Sequence, residues 1–361
     1  MIRIIEITDI SGFDNIKSEW DSLFNKTSEV TVFQSYEFQR TWWEYFKNRS
    51  SLHIIIVQDV STNKFRAILS LYIERKYGFR KLRFIGDNFG DYIHILSDME
   101  KEDLAYCVVK FLKQNKYWDI IQFNGLVLGS YTHMVLQHFM KNGLKMFVQE
   151  QTPAPFMRLG NNWNDFYAGL SKKTRKSSEY YLRRLSKQGE VKYVKVNNID
   201  IGDELNHFFL MHRNRWETRN GSSIFSSENI CSFFQTIAQK FADKGYLSFS
   251  LLKVGEVTVA MHMGFQYQNR GYYYIPTMNI EYSKYSPGII HLLQILRDSF
   301  SQDLQIFDFM SGNEKYKYSF SNEEAQLLRG YLNNNNFRGT LYQLFTLHLK
   351  PVLLRMTKHK G

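Results

Sequence analysis

The stretch 247–309 constrains the fold most, because its hydrophobic period changes from two to 3.6 and back. Residues 247–254, 257–266 and 272–278 predict a meander of strands, turned at Gly255 and at Asn269-Arg270-Gly271. In the middle strand Val257, Val259, Met261, Met263 and Phe265 alternate with Thr258, Ala260, His262 and Gly264. A loop ending Ser286-Pro287-Gly288 then opens a helix over 289–300, and a strand follows at 305–309. Strands interleaved with a helix in this way make an α/β unit.

The same grammar runs through the rest of the chain. Ile16, Trp20, Leu23 and Phe24 share one helix face, and Phe38, Trp42, Tyr45 and Phe46 predict a second helix after Ser35. Residues 52–57 and 67–73 read as strands, with short strands at 82–85 and 92–96. Helical patterns over 101–115 and 130–142 flank a strand at 119–123. Thr152-Pro153-Ala154-Pro155 is the best linker, since two prolines keep the backbone extended. Beyond it, helices are expected at 163–169, 172–188, 203–220 and 227–243. A chain of 361 residues accommodates two domains of roughly 150 residues. The expected division is 1–151, 156–335 and a tail, 336–361.

Composition excludes several classes. A hydrophobic content of 43% is ample for a packed core and excludes intrinsic disorder. No run of 18 apolar residues offers a transmembrane helix, and the first residues lack the pattern of a signal peptide. Cys107 and Cys231 are the only cysteines, which argues against a disulfide framework and a zinc site. A reduced, soluble, intracellular protein without a metal is expected. Lys+Arg 46 against Asp+Glu 35 gives a net charge of +11, so an anionic ligand, nucleic acid or an anionic membrane face are candidate partners.

Four constellations could carry chemistry. A helix opened by Pro287 and Gly288 directs free N–H groups and a positive dipole end outward, as phosphate binding requires. Asp308, at the end of a buried strand, and Lys317, after Tyr316, could orient an acceptor and meet a developing negative oxygen. His212, Arg215 and Trp216 share a helix face that suits a sugar or phosphate acceptor. Lys172, Lys173, Arg175, Lys176, Arg183, Arg184 and Lys187 form the densest basic cluster, with one acid, Glu179, among them. Each has a structural alternative: a common helix start, a capping Asp with a surface Lys, a satisfied His, and a solvated helix face.

Together these motifs resemble the CelD-like (cellulose-biosynthesis type) acyltransferases of the GNAT superfamily, relatives of the FemAB-type peptidyltransferases. The resemblance rests on the Trp20/Leu23 helix, the Phe38–Phe46 helix, Ser171-Lys172-Lys173-Thr174-Arg175 with Leu182-Arg183-Arg184-Leu185, His212-x-x-Arg215-Trp216, Tyr285-Ser286-Pro287-Gly288, and Phe307-Asp308-Phe309-x-x-Gly312-x-x-x-Tyr316-Lys317. It implies two tandem GNAT-like domains, each a mixed, mostly antiparallel sheet flanked by helices, the first degenerate. It also implies acetyl-CoA or another acyl-CoA as co-substrate, held by Tyr274, Ile275, Ser286, Gly288, Ile289 and Ile290. His212, Asp308 and Lys317 would be catalytic, with Arg175, Arg184, Arg215, Trp216 and Tyr316 on an anionic small-molecule or glycan acceptor. DNA is not an expected partner. The competing expectation is a FemAB-like transferase fed by aminoacyl-tRNA; a non-catalytic glycan- or membrane-binding scaffold is a third. In the tail Phe337, Leu341, Leu344, Phe345, Leu349, Val352, Leu353 and Met356 stripe a basic helix interrupted by Pro351. It fits a peripheral membrane contact or packing on the first domain equally well.

Overall fold

The computed structural model describes residues 1–115, 117–196, 201–218 and 221–345. In chain order the elements are β1 (Ile2–Ile7), α1 (Ile10–Asn15), α2 (Lys17–Lys26), α3 (Tyr36–Phe46), β2 (Ser51–Asp59), β3 (Phe65–Lys76), β4 (Phe79–Phe84), β5 (Leu96–Ser97), α4 (Lys101–Gln114), β6 (Ile120–Val127), α5 (Tyr131–Lys141) and β7 (Lys145–Glu150). There follow β8 (Ala154–Arg158), α6 (Trp163–Gly169), α7 (Lys172–Ser186), β9 (Val191–Lys195), α8 (Ile201–Glu217), α9 (Glu228–Asp243), β10 (Leu247–Val254), β11 (Val257–Tyr267), β12 (Arg270–Met278), α10 (Pro287–Ser301), β13 (Ile306–Asp308), β14 (Glu323–Ala325), β15 (Leu327–Asn333) and α11 (Phe337–Leu344).

The chain forms two compact units, 1–151 with 326–361, and 152–325. The first is built on the sheet β1-β2-β3-β4-β6-β15-β7, with β5 on β3. The second is built on β14-β8-β13-β12-β11-β10-β9. Each sheet is mainly antiparallel with one parallel pair, β4 with β6 and β12 with β13. In each, a helix lies between the parallel strands in sequence: α4 in the first, α10 in the second. The expected α/β class, two mixed sheets flanked by helices, is what the chain adopts.

Apolar burial holds each unit. In the first, Trp118, Phe123, Leu104, Val108 and Val135 are fully buried under α4 and α5. In the second, Leu292 and Leu296 of α10 pack with Tyr273, Phe307 and Phe309. Fully burying one such side chain contributes about 1.5–3 kcal/mol.

Several expectations need correction. Of the strand expected at 92–96, only Leu96–Ser97 pairs, with Ala67 and Ile68. The linker is shorter than expected, because Ala154 and Pro155 already belong to β8 and pair with β14. β15, read with the second domain, lies in the first unit's sheet between β6 and β7. Its Gly330 is tightly enclosed: a Cβ there would sit 2.0 Å from the Phe123 ring, so an added methyl group forces a shift. α11 packs on β4 and β15, with Tyr342 edge-on to Phe79 at 5.1 Å. Leu349, Pro351, Val352, Leu353 and Met356 lie outside the described residues. Among the described residues, no helix is long and apolar enough to cross a membrane.

Candidate functional site

In the second unit β12 and β13 pair only at Arg270–Ile306, Gly271–Phe307 and Tyr272–Asp308. β12 then runs on to Met278 with no strand on that edge among the described residues. Its other edge is paired to β11, with a bulge that sets Tyr273 and Tyr274 against Gly264. Pro276 stands opposite His262 and has no N–H, so that pair is a non-hydrogen-bonded one. Ile275 and Thr277 therefore exchange bonds with β11, and the Pro276 carbonyl lies on the open edge. There Arg215 Nη1 donates to it at 3.1 Å.

The helix after β12 opens in an unusual way. Ser286 has φ 51°, a left-handed conformation costly for a residue with a Cβ, and its side chain does not cap α10. Pro287 takes the first helical position. The N–H groups of Ile289 and Ile290 turn back to the Ser286 carbonyl, at 3.1 and 3.4 Å. The Gly288 N–H has no acceptor among the described residues. A Cβ on Gly288 would meet only Met278 Sδ, at 3.9 Å, so space lies open in front of this turn.

Beside that turn lies a cleft of about 450 Å³ bounded by the start of α7, Ile289 and the segment from Tyr316 to Phe320. Eight of its eleven lining residues carry a hydroxyl, among them Ser171, Thr174, Ser177, Ser178 and Tyr316. Such a lining suits a ligand rich in hydrogen-bonding groups rather than an apolar one. Lys173 supplies a cation. Arg184 lies elsewhere, between the Tyr180 and Tyr285 rings at 5.4 and 5.2 Å, with Nη1 donating to the Lys284 carbonyl. It thus belongs to the approach to α10. Arg175 is nine positions back, about half a turn around the helix, and its buried Nε has no acceptor among the described residues.

The other predicted residues fall into two groups. His212 is buried, Trp216 Nε1 donates to its Nε2 at 3.1 Å, and Nδ1 lies 2.8 Å from Ser223 Oγ. Nε2 thus accepts, and the proton sits on Nδ1. Burial, helped by the Arg215 cation, takes its pKa down to about 4. Burial also raises the Tyr316 and Tyr273 phenols, while the Arg215 guanidinium opposes both shifts, which places the three groups within electrostatic reach. Asp308 and Lys317 converge on one residue. Met310 is held left-handed at φ 61°, with its N–H on Asp308 Oδ1 at 2.8 Å and its carbonyl on Lys317 Nζ at 3.2 Å. Arg270 pairs with Asp308 at 3.4 Å, and Glu314 with Lys317 at 3.0 Å. Tyr274 packs on Phe265. Among the described residues, no group of three or more His, Cys, Asp or Glu could hold a metal ion.

One buried group was not anticipated. His262 is 1% exposed and stacks on Tyr273 at 4.5 Å, and neither ring nitrogen has a partner among the described residues. Gly264 makes room for it, since a Cβ there would lie 2.3 Å from the ring. The signal was a histidine within a strand whose two faces are both buried.

Residues 172–318 match the family described as Acetyltransferase (GNAT) domain. No curated protein matches the chain. Among solved structures, FemX aligns over 95% of this chain and 99% of its own, with TM-score 0.65 and 11% identity. L-PGS from Bacillus licheniformis aligns over 92% and 95%, with TM-score 0.55 and 10% identity. A conserved protein of unknown function from Bacteroides thetaiotaomicron VPI-5482 covers 92% and 100%, with TM-score 0.56 and 10% identity. The chain therefore has a GNAT/FemX-like fold, and its match to the acetyltransferase family lies within the second unit.

Proposed function

We propose that the protein is an acyl-CoA-dependent N- or O-acyltransferase that acts on an amino sugar of a nucleotide sugar or surface polysaccharide. The observation that carries this reading is the parting of β12 from β13 after Tyr272, followed directly by an α10 turn with an unpartnered Gly288 N–H. A thioester arm fits beside an open strand edge, and a pyrophosphate fits a helix N-terminus. Ser286, Gly288 and the first turn of α10 would hold the pyrophosphate, with Arg184 close by. The edge at Tyr274 and Ile275 would run along the arm, with the Tyr274 N–H, which the alternation leaves on the open edge, polarising the acyl carbonyl. The thioester supplies an activated acyl group; the chain's residues position the acceptor and exclude water. Arg215 and Tyr316 would hold an anionic acceptor, with Trp216 at the margin.

Direct attack in a ternary complex is the mechanism this arrangement supports best. His212 is neutral at pH 7, but its Nε2 accepts from Trp216, so it takes a proton only if that bond opens. Asp308 and Lys317 would act by positioning, since they pin the Met310 turn that leads to Tyr316. A cytoplasmic site with peripheral contact at the inner membrane face is part of the reading, supported by exposed Phe337 and Leu344 on α11.

A second reading is supported by the likeness to FemX: aminoacyl transfer from an aminoacyl-tRNA, as in the FemAB-type enzymes that the sequence resembles. The test is thiol release from acetyl-CoA by the full chain with amino-sugar nucleotides as acceptors. Turnover above the hydrolysis background supports the acyl-CoA reading. None with any acyl-CoA, together with salt-dependent tRNA binding, replaces it with the second.

A further inference from the structure

A second cleft, of about 770 Å³, opens in the first unit. That is the size of a small-molecule site. Its floor is one face of the sheet. Arg83, Gln122 and Tyr331 stand in a row across β4, β6 and β15, and Phe147 of β7 stacks on Tyr331 at 4.7 Å. α11 forms a wall, with Tyr342 on the inside and Leu341 and Phe345 half-exposed at the rim.

The charge in this cleft is out of balance. Lys76, Lys81, Arg83 and Arg329 line it against one carboxylate, Glu74. Asp87 lies behind them and takes Arg83 in a two-point pair at 2.8 and 3.1 Å. Four cations less two carboxylates leave two positive charges. Lys81 is the most buried of the four. Its side chain is 10% exposed, Glu74 lies 3.5 Å from its ammonium, and the Tyr342 ring is at 5.1 Å. Burial lowers its pKa below the usual lysine value. A buried cation with so weak a partner destabilises a fold unless something else neutralises it. The guanidinium groups are already fixed. Arg329 Nε donates to Asn124 Oδ1 at 2.7 Å, and Asn124 in turn donates to Asp87 at 3.2 Å.

We propose that this cleft binds a phosphate monoester whose attached group is apolar or aromatic. Two uncompensated positive charges match the charge of about −1.5 to −2 on a phosphate monoester at pH 7. Arg83 is engaged by Asp87 and Glu74, so the guanidinium of Arg329, which has no carboxylate partner among the described residues, is the group to meet the phosphate oxygens. Tyr331, Tyr342 and Phe79 offer ring faces and edges to the attached group. The monoester can belong to a soluble metabolite or to a lipid headgroup. This site is independent of the acyl donor proposed for the second unit.

The experiment uses the full chain and two probes: phenyl phosphate by calorimetry, and phosphatidylcholine vesicles with and without phosphatidic acid by sedimentation. At least one phosphate probe should bind, with phenol and pure phosphatidylcholine as negative controls; which one binds identifies the source. Arg329→Gln should weaken binding at least roughly tenfold. Gly288→Val, in the other unit, should leave it unchanged. Lys81→Met should also weaken binding while its Tm holds or rises, because a strained cation has been removed. No binding of either probe at low salt overturns the proposal. So does unchanged binding by both Arg329→Gln and Lys81→Met, or a lower Tm in Lys81→Met with binding intact, which would make the cations structural.

Discussion

At Met310 two charged side chains hold one strained backbone residue from opposite sides, Asp308 at its N–H and Lys317 at its carbonyl. Sequence marked both as chemically special, and the structure gives each a full set of structural partners. Asp308→Asn and Lys317→Met should therefore each lower stability, and the double variant should lose less than the sum. Chemical denaturation of the four proteins measures the coupling, expected at about 0.5–3 kcal/mol; strict additivity would separate the two roles. Arg175 and Arg184 teach a different lesson. They were grouped by charge density, yet nine helical positions set them about half a turn apart, which helix arithmetic alone could have revealed. Arg184 stands by Tyr285 and Lys284 at the approach to α10. Arg184→Ala should weaken the donor, raising its Michaelis constant several-fold and leaving the acceptor's nearly unchanged. Steady-state kinetics with each substrate varied in turn checks this, and an effect confined to the acceptor would contradict it.

Elements with a strong hydrophobic period were legible in the sequence. The helix 163–169 coincides with α6, and the meander from 247 with β10, β11 and β12. Weakly patterned strands were missed. β9 is a short strand at the sheet edge, β7 is largely exposed, and β15 carries Gly330 at its centre. Nor can local spacing show that β12 leaves β13 after three pairs, or that Arg215 comes within reach of Tyr316, because both depend on long-range pairing. The return of β15 to the first sheet makes a sharp prediction. Gly330→Ala forces a methyl group onto the Phe123 ring and should destabilise by about 1–3 kcal/mol through overpacking. Equilibrium unfolding measures it; a neutral result would mean that β15 does not pack as described.

Across the whole molecule, three buried histidines of the second unit couple stability to pH. His212 is lowered to about 4, His291 to about 3 and His262 well below its usual value, each by burial first. In the unfolded chain they titrate near 6.5. Below that pH the unfolded state takes up protons that the folded state refuses, so stability falls as pH falls from 6.5 towards 4. Each histidine contributes about 1.4 kcal/mol per pH unit. Asp87, raised to about 6 by burial, opposes this between about 6 and 4, because its carboxyl takes up a proton more readily folded than unfolded. Tm measured from pH 7 to pH 4 should drop, and His262→Phe should flatten the slope; a flat wild-type profile would show that these rings take up protons as readily folded as unfolded. The central claim remains the acyl donor at the open edge of β12, and calorimetric titration of CoA into the full chain and into Gly288→Val tests it most directly. The wild type should bind, and the variant, whose added carbons meet open space in the protein, should keep its Tm and bind at least roughly tenfold more weakly. Equal affinity in the two proteins, or no binding to either, would contradict the account.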